Sequence, residues 1–135
     1  VGAGFNLALV ADVRIVSLTA KLVSGFAPIG MHPGGGHFNL LTRSASREVA
    51  AATSFFSTPI SGERALQLGL AWEALDDSEV DQRALALAHE VAKDPALARA
   101  MKRTLITTVD TTWQVATDAE RSIQMWSLRR KHEAP

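Results

Sequence analysis

The sequence predicts an α/β fold: β-type runs and glycine turns fill the first third, and helix dominates from Ser44 onward. Two observations carry this expectation. Residues 13–16 and 20–23 are enriched in Val, around a Ser17-Leu18-Thr19 turn, as short strands are. Beyond Ser44, apolar residues recur at helical spacing between recognisable caps and breaks.

In chain order, Gly2-Ala3-Gly4 opens an apolar stretch, Leu7-Ala8-Leu9-Val10-Ala11, that stops at Asp12 before the first strand. After the second strand comes Ile29-Gly30-Met31-His32-Pro33-Gly34-Gly35-Gly36, where the proline and three glycines forbid regular structure. A helix is expected from near Gly36 to Arg43. Ser46 is placed to cap the next one, carrying Val49, Ala50 and Ala52 and running to Phe56. Thr58-Pro59-Ile60-Ser61 is read as a break, with Ser61 as N-cap of a short helix over residues 63–68 that Gly69 stops. Residues 70–75 fit a brief strand or an extended link, closed by Asp76-Asp77. Ser78 is expected to cap a longer helix with Val80, Ala84, Leu87, Ala88 and Val91 on one face. Asp94 breaks it, and Pro95 suits the first turn of the helix through Met101, Leu105 and Ile106. The last helix, about residues 112–131, carries Trp113, Ala116, Ile123 and Trp126 on one side.

The bulk numbers narrow the function classes. Hydrophobic residues make up 47% of the 135 and charged residues 21%, an ordinary globular balance. Fourteen basic residues offset fourteen acidic ones, so nothing steers the chain toward nucleic acid or an anionic membrane. The absence of cysteine excludes disulfides, thiolate metal sites and a cysteine nucleophile, and is compatible with a reducing, cytoplasmic setting. No apolar run approaches the roughly 20 residues of a membrane span. Nor do the four histidines and the acids show a metal-ligand spacing. The chain opens on Val1, immediately before a functional-looking turn, and is read as a piece of a longer protein.

The two glycine turns suggest an anion trap, because a glycine-rich entry to a helix aims free N–H groups and the positive dipole end outward. Gly2-Ala3-Gly4, Leu7-Ala8, Asp12-Val13-Arg14-Ile15 and the turn from Ile29 to Gly36 fall in the order and spacing of a family pattern. In these residues the sequence resembles the crotonase, or enoyl-CoA hydratase/isomerase, family. Pro59-Ile60-Ser61-Gly62-Glu63-Arg64-Ala65-Leu66-Gln67-Leu68-Gly69-Leu70-Ala71, and Asp94-Pro95-Ala96-Leu97 with downstream Lys102, extend the resemblance over essentially the whole chain.

The resemblance implies a spiral core of ββα turns followed by a helical trimerisation region. Residues 1–57 would then be the end of the spiral and residues 58–135 the helical region. It also implies a coenzyme A thioester as substrate, no separate cofactor, fatty-acid or acid catabolism, and a homo-oligomer, trimer or dimer of trimers. The Ala3 N–H becomes one half of an oxyanion hole, a donor worth roughly 3–4 kcal/mol to an enolate-like transition state. Gly2, Gly4, Phe26, Pro33 and Gly34 are expected to line the substrate.

Hydratases of the family carry glutamates where this chain has Asn6 and Phe26. Addition of water across a double bond needs two such acids, and neither an amide nor a phenyl ring replaces them. Asn6 can orient a water or a substrate carbonyl, or bond to the helix N-terminus. Phe26 fits an apolar acyl pocket wall. His37, at the start of the helix after the second turn, is the candidate acid–base group, with His32 beside the same turn as a weaker one. Ser24 has no activating base in its own stretch of sequence. Glu48 and Glu63 suit helix starts, and the Arg129-Arg130-Lys131-His132 cluster suits a helix C-terminus or, less directly, a phosphate. Trp113 and Trp126 suit packing or a subunit interface. The competing reading is a non-catalytic acyl-CoA-binding protein, or an inactive fragment.

Overall fold

The computed structural model describes residues 1–133 and divides the chain into two compact units, residues 1–85 and Ala86–Pro135. In the first unit, α1 (Ala3–Val10) buries Phe5 and Leu9, one turn apart on a single face. Two short strands follow, β1 (Ile15–Ser17) and β2 (Lys21–Leu22), then a single 3₁₀ turn at Ala27–Ile29. The helices α2 (His37–Ser44) and α3 (Arg47–Phe55) come next. Their buried residues include His37 and Leu41 at the same one-turn spacing, and Ala50. Ser46 caps α3 by accepting the Val49 N–H at 3.1 Å.

The stretch read as a break at residues 58–61 is in part a strand. β3 (Ile60–Ser61) pairs antiparallel with β2, Leu22 facing Ile60. Ser61 then caps α4 (Gly62–Gln67), accepting the Arg64 N–H at 3.1 Å. Of the two readings for residues 70–75, the strand is found. β4 (Glu73–Leu75) runs parallel to β1, with Ile15 opposite Glu73 and Ser17 opposite Leu75. Trp72 N–H to Arg14 O and Leu18 N–H to Leu75 O, both 2.8 Å, extend the ladder at each end. The two ribbons and α1–α4 enclose one core, built on Phe5, Leu9, Leu41, Ala50, Ile60, Ala65, Leu70 and Ala71.

The expected boundary at residue 57 does not coincide with the observed division. β3 and β4 lie beyond it yet pair with β2 and β1, so the compact unit continues through Leu85. The expected cap at Ser78 is also corrected. α5 (Asp77–Ala92) already includes Ser78 in its first turn, where Asp77 and Glu79 supply the negative charge that suits a helix N-terminus.

In the second unit, α6 (Pro95–Thr108) packs on α7 (Trp113–Glu133). Asp94 caps α6 through the Leu97 N–H at 3.0 Å and takes the Arg130 guanidinium at 3.1 Å. Arg130 in turn stacks over the Trp126 ring, 4.6 Å from its centroid. That basic residue is therefore occupied by its own unit, and Trp113 at the start of α7 is exposed.

Arg14 explains the Asp-x-Arg pattern after α1. Its guanidinium donates to the carbonyls of Leu9 and Ala11, at the C-terminal end of α1, and to Leu70 O, joining helix to strand connection. Gly62 is required for a different reason. A Cβ there would lie 1.7 Å from Ser17 O, because α4 starts directly against the end of β1. Gly62→Ala should therefore cost at least about 3 kcal/mol, since backbone rather than a flexible side chain must move. Denaturant unfolding tests this, and a midpoint equal to wild type would show that the two segments are not in contact.

Candidate functional site

Three stretches of the first unit meet at the turn that opens α1. Gly2 adopts φ 55° and ψ −121°, a conformation that glycine accepts readily and other residues rarely adopt. Its N–H donates to Val23 O at 3.0 Å, tying the turn to the end of β2. Its carbonyl accepts the N–H groups of Phe5 at 3.0 Å and Asn6 at 3.2 Å, and Val1 O takes the Gly4 N–H. That leaves the Ala3 N–H, which meets no acceptor among the described residues and sits on an exposed residue at the positive end of α1. No acidic side chain occupies that first turn.

One turn further along α1, both the nitrogen and the oxygen of the Asn6 amide find partners. Its Nδ2 donates to Gly34 O at 2.9 Å, which turns Oδ1 toward His37 Nδ1 at 2.6 Å. The backbone of the second glycine turn comes this close because Gly35, with φ 64°, has no side chain; a Cβ there would sit 3.1 Å from Asn6 Nδ2. Pro33 is half-buried and Gly34 exposed. The opposite ring nitrogen of His37, Nε2, lies 2.9 Å from Ser24 Oγ. Ser24 is wholly buried and His37 is 1% exposed.

The proton positions along this chain follow from chemistry. Gly34 O can only accept, so Asn6 presents its oxygen to His37, and Nδ1 must carry the ring proton. Nε2 is left with its lone pair and accepts the Ser24 hydroxyl proton. As placed, neither nitrogen of His37 is open to a substrate. Phe26 packs edge-on against the imidazole at 5.3 Å, and Phe5 and Phe38 do so at 6.0 and 6.1 Å. His32, on the surface, donates from Nδ1 to Pro33 O.

Asn6, Phe26, Gly34 and His37 thus come together beside Gly2, Ala3 and Gly4. Ser24, for which its own stretch of sequence offers no base, meets one here. Its partner base lies thirteen residues away rather than in its own stretch, and no local pattern signals that pairing. Glu48 and Glu63 stand in the first turns of α3 and α4. A cavity of about 350 Å³ between α3, β3 and α4, lined in part by Glu48, Val49, Thr53 and Pro59, contains none of its members.

The chain matches the enoyl-CoA hydratase/isomerase family over residues 1–133 and belongs to it. It is 41% identical over 98 residues to "Probable enoyl-CoA hydratase EchA14" of Mycobacterium tuberculosis, a match covering 73% of this chain and 36% of that protein. It is 32% identical over 124 residues to the 1,2-epoxyphenylacetyl-CoA isomerase of Escherichia coli K12, covering 91% and 47%. A Thermobifida fusca YX protein described as an enoyl-CoA hydratase, solved in complex with CoA, superposes with a TM-score of 0.89 at 30% identity. That superposition covers 98% of this chain and 52% of the other. Its complex with acetoacetyl-CoA gives 0.87 at 31% identity, covering 96% and 51%. The chain spans about a third to a half of the length of these relatives.

Burial holds the His37 pKa below the ordinary imidazole value of 6.5. The unfolded chain therefore takes up the proton first as pH falls. The stability carried by the neutral ring is complete above about pH 6.5 and is lost as pH drops through that value toward the folded-state pKa. Denaturant midpoints measured between about pH 7 and pH 5 should fall more steeply for wild type than for His37→Gln, which cannot titrate. Parallel slopes would mean that His37 binds protons alike in both states.

Proposed function

We propose that this chain supplies the oxyanion-binding side of an acyl-CoA site, with the Ala3 N–H donating to a thioester carbonyl as enolate charge builds on its oxygen. The observation that carries the reading is that N–H itself: without an acceptor among the described residues, on an exposed residue, and at the positive end of α1. A helix N-terminus with an unspent donor suits an oxygen that becomes negative during reaction. The complexes of the Thermobifida fusca protein with CoA and acetoacetyl-CoA support the same substrate class. Gly2 and Gly4 keep the approach to the donor free of side chains, and Phe26, Pro33 and Gly34 are the proposed near wall.

The chemistry proposed is polarisation of the thioester and stabilisation of its enolate, without the paired carboxylates that add water. Asn6 has no basic lone pair comparable to a carboxylate, and both its polar groups are engaged. Phe26 presents only an apolar edge beside His37. Substrates would be CoA thioesters of fatty or other carboxylic acids. A homo-oligomer is part of the proposal, supported by large apolar side chains left exposed on α6 and α7, including Ile106 and Trp113. A cytoplasmic setting goes with the cysteine-free sequence.

The donor can be removed selectively. Ala3 is the first residue of α1, where proline costs no helical hydrogen bond, and Gly2 is not in the α region that a following proline disfavours. Ala3→Pro should leave the fold intact and abolish the rise in enolate absorbance expected when acetoacetyl-CoA binds the intact protein. Any thioester-enolising turnover should fall by about 10²–10³. A full enolate signal in the folded Ala3→Pro protein would remove Ala3 from the site. Separately, hydration of crotonyl-CoA should be at least about a thousandfold slower than in a two-glutamate relative, given roughly 10²–10⁴ per positioned acid or base. Near-normal hydration would show that other groups add the water.

A further inference from the structure

We propose that Ser24, His37 and Asn6 form a buried relay of positioning residues that fixes the aim of the Ala3 N–H, an inference that rests on reading that N–H as the oxyanion donor. The chain of bonds is directional: Ser24 O–H to His37 Nε2, His37 Nδ1–H to Asn6 Oδ1, Asn6 Nδ2–H to Gly34 O. Each link sets the next, because the terminal carbonyl can only accept.

What the relay holds is the peptide plane between Gly2 and Ala3. In a trans peptide the Gly2 carbonyl and the Ala3 N–H point in opposite directions, so fixing one aims the other. The carbonyl is gripped by Asn6 and Phe5 N–H groups on α1, and the Gly2 N–H by Val23 O at the end of β2. Asn6 belongs to the first anchor, and Ser24 directly follows the second. His37 is the strut between them, so the relay closes a ring of contacts around the donor. Rotation of Asn6 or drift of the strand end would turn the N–H away from its target.

Burial makes the relay stiff. Ser24 and His37 are out of reach of water, so breaking the link between them leaves unsatisfied polar groups rather than solvated ones. The same three residue types in this order can also build a nucleophile, a base and an orienting group. Here Ser24 Oγ is enclosed, with no exposed surface through which a thioester carbon could reach it. The enclosure assigns the serine to support instead.

The comparison of Ser24→Thr with Ser24→Val isolates the hydroxyl, since the two side chains share a shape. In the intact protein, Ser24→Thr should keep most of the enolate absorbance of bound acetoacetyl-CoA. Ser24→Val should lower it about tenfold or more while CoA itself binds as in wild type, as misplacement of a catalytic group by a fraction of an ångström would cause. Equal signals in the two variants would overturn the relay. Nitrogen-15 spectra of the histidines in the ligand-free wild-type protein give a second reading that needs no variant to fold. The relay requires the His37 proton on Nδ1 and a bare Nε2 at neutral pH, and a proton on Nε2 would overturn it. A stable acyl adduct on Ser24 after incubation with acetyl-CoA would also overturn it, in favour of a nucleophile. If wild type binds acetoacetyl-CoA without any enolate signal, the oxyanion reading of Ala3 fails. The nitrogen spectra then still decide whether the relay exists.

Discussion

A buried imidazole has two nitrogens to satisfy, and at His37 that requirement organises the meeting of three otherwise separate stretches. Ser24 comes from just after β2, Asn6 from the first turns of α1, and His37 from the start of α2. Packed edge-on by Phe5, Phe26 and Phe38, the ring has no access to water, so protein groups must supply both partners. The arrangement orients the glycine turn that carries Ala3. Losing the Ser24–His37 bond would leave two buried polar groups without each other, a larger loss than that of an ordinary surface hydrogen bond.

The frame beneath this site is held by a few long-range ties. Arg14 draws the C-terminal end of α1 and the Leu70 carbonyl together through one guanidinium, which explains why a charged side chain is retained partly buried there. The pairing of β1 with β4 and of β2 with β3 joins segments more than thirty residues apart and closes the small core. Gly62 permits the second junction by letting α4 start against the Ser17 carbonyl. Together these ties set where β2 ends, and so where Val23 O and Ser24 stand relative to α1.

Asn6 and Phe26 shape the surroundings of His37 directly. A carboxylate at position 6 would have no proton to donate to Gly34 O and would attract positive charge onto His37. The amide instead links the second glycine turn to His37, while burial keeps the imidazole pKa low. At position 26, the phenyl ring packs against the imidazole, 5.3 Å between ring centroids. Asn6, Phe26 and His37 are thus mutually consistent, each suiting the neutral, enclosed state of the others.

Helix limits were legible wherever their cause is local. Ser46, Ser61 and Asp94 each cap through an N–H three residues ahead, so a few neighbouring letters contain the whole interaction. Ser78 misled because Asp77 and Glu79 beside it already suit the start of α5. The sequence by itself determined the family, the glycine turns and most helices. Only the tertiary structure decided that residues 58–61 contribute a strand, that the compact unit runs past residue 57, and that Ser24 meets His37. Strand partners and buried hydrogen bonds are chosen by segments distant in the chain, and short strands such as Lys21–Leu22 carry too few residues to announce a partner.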